Sequence, residues 1–180
     1  LPVYGNKNPD STYHSIKGFN LIDQFGHSVT PETFKNKIYV ADFIFTTCQS
    51  ICPKMSDQME RVYNVYKNVD DVMFLSHSVK PDEDSVPVLK AYSDVHHVVN
   101  DHWRFVTGDK PSIYDLARTA YLVGDTSGAG SPDDFVHTQF FVLVDDEELF
   151  IPHLPFDRFH DMIGRFLRNP LKGGADDDLP

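Results

Sequence analysis

Hydrophobic and polar positions change period along this chain in a way that predicts strands and helices in turn. Ile38-Tyr39-Val40-Ala41-Asp42-Phe43-Ile44-Phe45 is β-branched and aromatic apart from Asp42, the pattern of a buried central strand, and it runs into Thr46-Thr47-Cys48. Beyond it, Met55, Met59, Val62, Tyr63 and Tyr66 recur at helical spacing and predict an amphipathic helix over 53–67, with Pro53 in its first turn. Val72 to Val79 reads as the next strand, and 82–97 as a helix with acidic residues at its N-terminus. Trp103 to Gly108 predicts a short strand, and the spacing of Ile113, Leu116, Ala117 and Ala120 predicts a third helix over 111–121. Two further strands, Thr138–Val144 and Glu148–Ile151, flank Asp145-Asp146-Glu147 as a hairpin ahead of a last helix at 156–167. Upstream, Phe19 to Gly26 reads as a short strand entering a turn, with Pro31 a start signal behind it. Residues 1–16 are polar and turn-rich, 124–134 read as a loop, and 172–180 read as a disordered tail.

Strands alternating with helices, then a hairpin and a helix, predict an α/β chain: a central mixed β-sheet flanked by helices on both faces, with a C-terminal β-hairpin and helix. That order matches a thioredoxin-like fold. The expected organisation is an N-terminal extension over 1–17, one domain over 18–169 and an acidic tail over 170–180. A length of 180 residues, 41% of them hydrophobic, suits one such domain and leaves no room for a second. The formal net charge of −11, with Lys and Arg scattered, lacks the basic stripe that would neutralise phosphates, so nucleic acid is excluded as a partner. A metal ion or a cationic protein surface fits better. No run approaches the roughly 20 apolar residues that span a bilayer, and the chain opens at Leu1-Pro2 without an initiator Met. The expectation is a soluble fragment whose signal or anchor, if it had one, lay upstream.

Two cysteines do not make a secreted disulfide scaffold, but their placement points to chemistry. Cys48-Gln49-Ser50-Ile51-Cys52-Pro53 sets two sulfurs at a strand-to-helix junction, where unpaired backbone N–H groups and the helix dipole favour thiolate. Thiolate is the nucleophile of disulfide exchange and a soft ligand for Cu(I); an imidazole beside it admits Cu(II) as well. Two thiols that merely pack are the plain alternative. A closed zinc site needs four ligands, and only three strong candidates appear. Of nine histidines, most read as surface residues: His96, His97 and His102 cluster at a helix end, and His153 and His160 flank the last helix. His77, on the strand after the cysteine helix, is harder to set aside. His137 precedes the first hairpin strand, where a thioredoxin-like fold brings a residue against the cysteine turn and thioredoxins carry a cis-proline. Phe135-Val136-His137-Thr138 holds no proline, and an imidazole there completes a Cys2His set; spacing alone leaves a plain loop histidine equally open.

The chain resembles the Sco family of thioredoxin-like copper proteins, which help assemble the dinuclear copper centre of cytochrome c oxidase. The resemblance rests on Phe43-Ile44-Phe45-Thr46-Thr47-Cys48-Gln49-Ser50-Ile51-Cys52-Pro53, Ser78-Val79-Lys80-Pro81-Asp82-Glu83-Asp84-Ser85, Trp103-Arg104-Phe105-Val106-Thr107-Gly108-Asp109 and Val136-His137-Thr138, within a span from Gly18 to Leu167. It implies that Cys48, Cys52 and His137 ligate one copper ion, Cu(I) or Cu(II), over the 18–169 domain. It further implies a copper donor protein, delivery to cytochrome c oxidase subunit II, and a location in the periplasm or at the outer face of the cytoplasmic membrane, anchored through a missing N-terminus. Two places depart from the family's usual pattern: Lys80 stands where Asp is common between Val79 and Pro81, and Val136 stands where an Asp often precedes the ligand histidine. Asp133 or Asp134 is the candidate substitute.

Delivery involves no turnover of a small substrate, and a Cys48–Cys52 disulfide would remove two ligands at once. The rival reading is a thiol-disulfide oxidoreductase acting on a partner's cysteines, with Cys48 and Cys52 catalytic and His137 dispensable. A peroxidase is weaker, because Phe45 and Ala41 stand where peroxiredoxins carry Thr and Pro; a non-catalytic interaction module is the bland alternative. Asp42 reads either as a buried carboxylate near the thiols or as a sheet-edge residue meeting water or a Lys, with the second preferred. Met55 and Met59 fit the core face of the helix better than a thioether ligand set.

Overall fold

The computed structural model describes residue 16, residues 18–123, 139–144 and 150–155, and residues 159 and 163. Seven strands form one mixed sheet: β1 (Leu21–Asp23), β2 (Ser28–Val29), β3 (Ile38–Ile44), β4 (Val72–Ser78), β5 (Trp103–Thr107), β6 (Phe140–Val144) and β7 (Phe150–Pro155), in the order β2-β1-β5-β4-β3-β6-β7. β3 pairs parallel with β4 and β4 with β5, while β1, β6 and β7 join antiparallel. Helices α1 (Cys52–Tyr66), α2 (Val86–Val95) and α3 (Lys110–Asp115) supply the crossovers, and α3 continues as a wider π turn over Leu116–Ala120. This is the thioredoxin-like α/β architecture expected from the order of elements.

Side-chain alternation in β3 builds the core on both faces at once. Tyr39, Ala41 and Phe43 pack with Met73, Leu75 and Val106 beneath Ile113, Tyr114, Ala117 and Tyr121 of the third helical span. Val40 and Ile44 turn the other way, joining Phe74, Trp103 and Phe105 under Cys52, Met55, Met59 and Tyr63 of α1 and Leu89 of α2. Met55 and Met59 are fully buried there, in the core role their spacing suggests. The Trp103 indole N–H donates to Ser76 Oγ at 3.0 Å, so the largest buried side chain leaves no polar atom unpaired. Large side chains buried this fully contribute roughly 1.5–3 kcal/mol each.

Several boundaries differ from the expectation. Strand β1 is only three residues long and turns at Gly26 (φ +81°) into β2. Helix α2 starts at Val86 rather than at 82, because Asp84 is buried as a hydrogen-bond acceptor for another part of the chain, and Pro87 then fits the first turn. β7 begins at Phe150 and runs to Pro155, past the expected end at 151. Phe159 and Ile163, one turn apart, are helical and buried, with the Phe159 ring tilted against Phe141 at a centroid distance of 4.0 Å. Of the expected extension at 1–17 only residue 16 is described, and Ile16 is buried in the core; the loop at 124–134 and the tail at 170–180 lie outside the described residues. Among the described residues, no helix is long and apolar enough to cross a membrane.

Candidate metal centre

The central strand ends at Ile44, and its continuation folds into a tight turn in which the Cys48 N–H donates to the Phe45 carbonyl at 3.2 Å. Cys52 is the first residue of α1, followed by Pro53. Ile51 stands at the N-cap with no side-chain oxygen to offer, so the first-turn N–H groups of α1 have no side-chain cap. Both cysteines are free thiols and both are buried, Cys48 being 8% and Cys52 4% exposed. The helix end therefore presents uncapped donors and its positive dipole where the sulfurs sit.

The two thiols differ sharply. Burial pushes Cys48 up, but hydrogen bonds from Ser50 and Cys52, through side chains and backbone alike, outweigh it and bring the thiol down to about 7. The Ser50 hydroxyl lies 3.5 Å from Cys48 Sγ. Cys52 is pushed up to about 12 by burial, then by its hydrogen bond to Cys48 and by the charges of Cys48 and Asp42, against one lowering contact from the Phe45 backbone. One sulfur thus ionises near neutrality and the other holds its proton until a metal or a reaction displaces it.

Asp42 is not at a sheet edge. It is fully buried in β3, an interior strand between β4 and β6, directly across from Ser76. Alternation along β3 turns its side chain with Val40 and Ile44, toward the face that holds the cysteines. Neither carboxylate oxygen has a hydrogen-bond partner of good geometry, and burial pushes the acid up to about 7, with the Ser76 hydroxyl offsetting only part of this. The buried-carboxylate reading of this residue is the correct one. No aliphatic residue in the strand would predict such an acid; the break in an otherwise apolar run was the available signal.

His77 goes the other way. It is fully buried on the opposite face, stacked on Phe43 at 4.7 Å and edge-on to Tyr121 at 5.1 Å, with Nδ1 3.2 Å from the Asp42 carbonyl oxygen. Burial holds it down at about 4, a neutral core imidazole with no path to the sulfurs. His96, expected at the surface, is also buried and bonded to Glu60, whereas His97 and His27 are exposed. His137 lies outside the described residues, as do the side chains of His153 and His160 and the neighbours Asp133, Asp134 and Val136. Antiparallel pairing of β6 with β3 brings the start of β6, Phe140, toward the end of β3 that leads into Cys48; His137 is three residues upstream of it in sequence.

The residue that sequence reasoning missed is Asp84. Read as an acid at a helix start, it is instead fully buried and accepts from Thr46 Oγ1 at 2.5 Å, Thr46 N at 3.2 Å and Ser78 Oγ at 2.6 Å. It ties the turn before Cys48 to the end of β4, across 38 residues of chain. Replacing it with Ala strands three donors, so Asp84→Ala is expected to lose about 2–4 kcal/mol in chemical denaturation, with Asp84→Asn losing less. Lys80, one departure from the family pattern, reaches over the Phe45 ring at 4.9 Å and pairs at 3.2 Å with Glu83, whose other contact is Thr47 Oγ1 at 3.4 Å. A cation is thereby placed on the rim of the cysteine turn.

Comparison with known proteins gives consistent findings. The family model described as SCO1/SenC matches residues 7–169. The SCO1 protein homolog of Bacillus subtilis (strain 168) is 31% identical over 142 residues, covering 78% of this chain and 73% of its own. Among solved structures, BsSco, a member of the Sco family of cytochrome c oxidase assembly proteins in which a disulfide switch was identified, superimposes with a TM-score of 0.70 at 27% identity, covering 91% of this chain and 98% of its own. Bradyrhizobium japonicum ScoI with copper bound gives a TM-score of 0.68 at 25% identity, covering 84% of this chain and 97% of its own.

Proposed function

The chain belongs to the SCO1/SenC family, and from that premise we propose that it is a copper-binding protein of cytochrome c oxidase assembly, holding the ion through Cys48, Cys52 and His137 and passing it to the dinuclear copper site of subunit II. The observation that carries this reading is the pairing of two free thiols at the uncapped first turn of α1, one of them brought down to about 7. Thiolates are the soft donors Cu(I) selects, and the imidazole of His137 would extend the set to Cu(II). Copper is cargo here: a partner offering more ligands draws it off by exchange. The site works in the periplasm or at the outer face of the cytoplasmic membrane, where an upstream copper donor supplies it and an oxidising milieu couples loading to thiol state.

The experiment is anaerobic titration of the reduced protein with Cu(I) and with Cu(II), for the wild type and for His137→Ala. One tight equivalent, with thiolate-to-Cu(II) charge-transfer absorbance that His137→Ala weakens or shifts, is the expected result. Full affinity and an unchanged spectrum in the variant would remove His137 from the ligand set.

The asymmetry of the thiols supports a second reading, thiol-disulfide exchange on a partner's cysteines. The Cys48 thiolate attacks a partner disulfide, forming a mixed disulfide and releasing one partner thiolate. Cys52, once deprotonated, attacks the Cys48 sulfur, leaving a Cys48–Cys52 disulfide and the second partner sulfur reduced, so two electrons pass to the partner. Absence of tight copper binding, with stoichiometric reduction of a partner disulfide, would make this the leading account.

A further inference from the structure

A second group of metal-ligating side chains lies where α1 meets the end of α2, well away from the sulfurs. Glu60 stands eight residues after Cys52 on α1, about 12 Å further along the axis at the ordinary helical rise. Each of its carboxylate oxygens faces a different imidazole: Oε2 lies 3.2 Å from His96 Nδ1, and Oε1 lies 2.9 Å from His97 Nδ1. Asp57, three residues earlier and so on the same helix face, adds a third donor; ligand atoms of Asp57, Glu60 and His96 all lie within 4.8 Å of one another.

We propose that Asp57, Glu60 and His96 form a binding site for a divalent cation of the Zn2+ class, with His97 orienting Glu60. The donor set is imidazole and carboxylate without thiolate, which suits a borderline divalent ion rather than Cu(I). The 3.2 Å between His96 Nδ1 and Glu60 Oε2 is close to the roughly 3.3 Å edge of a tetrahedron with metal–ligand bonds of 2.0–2.1 Å. His96 is held before any ion arrives: it is 6% exposed, with its ring against Tyr92 at 4.8 Å and Trp103 at 6.1 Å. His97 takes a left-handed backbone (φ 53°), and its bond to Oε1 fixes the carboxylate, the kind of outer support ligating carboxylates carry.

A simple ion pair between Glu60 and two histidines accounts for part of this arrangement. It does not account for Asp57, whose carboxylate shares one helix face with that of Glu60, a like-charge pairing that disfavours the apo helix and that a cation between them reverses. Three protein donors leave a fourth position for water or substrate, and Asp57 and His97 lie at the surface, so the ion has a route in. The net charge of −11 draws cations toward the chain.

The test is Zn2+ titration by calorimetry of the full chain carrying Cys48→Ser and Cys52→Ser, with thermal unfolding read alongside. One equivalent and a Zn2+-dependent rise in Tm are expected, with at least about tenfold weaker binding when Glu60→Gln or His97→Ala is added. Asp57→Asn, at an exposed position, gives the same reading should Glu60→Gln not fold. No Zn2+ binding by the thiol-free chain, or affinity in the Glu60→Gln and Asp57→Asn variants unchanged from that of the thiol-free chain, overturns the site. In the chain with both cysteines, Glu60→Gln leaves Cu(I) affinity unchanged, so the outcome here is separable from that of the copper titration.

Discussion

Cys48→Ser and Cys52→Ser are each expected to weaken Cu(I) binding by at least about 100-fold, since loss of a ligand should exceed the 10–100-fold typical of losing a group that only supports one. A serine hydroxyl is a hard donor that keeps its proton at neutral pH, so each variant offers copper a single soft sulfur. The two variants are not equivalent. Cys52→Ser also removes a hydrogen bond that lowers Cys48, so the remaining thiol should titrate above about 7; Cys48→Ser removes both a hydrogen bond and a charge that raise Cys52. Competition against a chromophoric Cu(I) chelator under anaerobic conditions measures the affinity, and thiolate absorbance against pH measures the titration. Wild-type affinity in either variant would mean that its sulfur is no ligand and that the pair serves exchange instead.

Asp42→Asn should become the more stable protein as pH rises, by on the order of 4 kcal/mol between pH 4 and pH 8 relative to the wild type. In the folded wild type the buried acid titrates near 7 against 3.8 for the free group, so the native state binds the extra proton across that window. Its contribution is fully present below about pH 3.8 and is lost as pH rises through 7. His77 works in the opposite direction: its folded value near 4 lies below 6.5, so the unfolded chain binds the extra proton and stability rises with pH from about 4 to 6.5. The two slopes partly cancel in the wild type, and Asp42→Asn exposes the His77 slope alone. Urea midpoints for both proteins at pH 4, 6 and 8 give the comparison; parallel profiles would show that Asp42 does not titrate in this window. The charge of Asp42 raises both Cys52 and Tyr92, so the same variant should also lower Cys52 by removing it.

The parts of this fold that were legible in the sequence are those in which local pattern and tertiary placement agree. The apolar run over 38–45 is the central strand, the spacing of Met55, Met59 and Tyr63 is the buried stripe of α1, and the junction between them carries both cysteines. Legibility failed where a residue serves a distant segment. Asp84 looks like an acid favouring a helix N-terminus, yet its partners Thr46 and Ser78 are brought to it only by the parallel pairing of β3 with β4. Asp42 was visible as an anomaly, but whether a strand is central or at an edge depends on the sheet order, which one strand's composition does not reveal. His96 and His97 are adjacent in sequence and alike in type, and only the packing of the His96 ring against Tyr92 and Trp103 makes one a core group and the other a surface one. The cysteine pair needed no such context, because its chemistry depends on a strand-to-helix turn that neighbouring residues define.

The two outermost strands bear on how another protein can meet this one. At one margin, β2 offers two residues, Ser28 and Val29; at the other, β7 contains Pro152 and Pro155, which bring no N–H to a ladder. Among the described residues, neither margin presents a long unbroken row of backbone donors to an added strand. These described margins disfavour recognition by backbone augmentation, and with it the commonest route by which an open sheet propagates into aggregates. On the proposed reading, a partner that exchanges metal or electrons with the sulfurs would dock by side-chain complementarity around the tip of β3, an encounter that can be brief and reversible, as a hand-over requires.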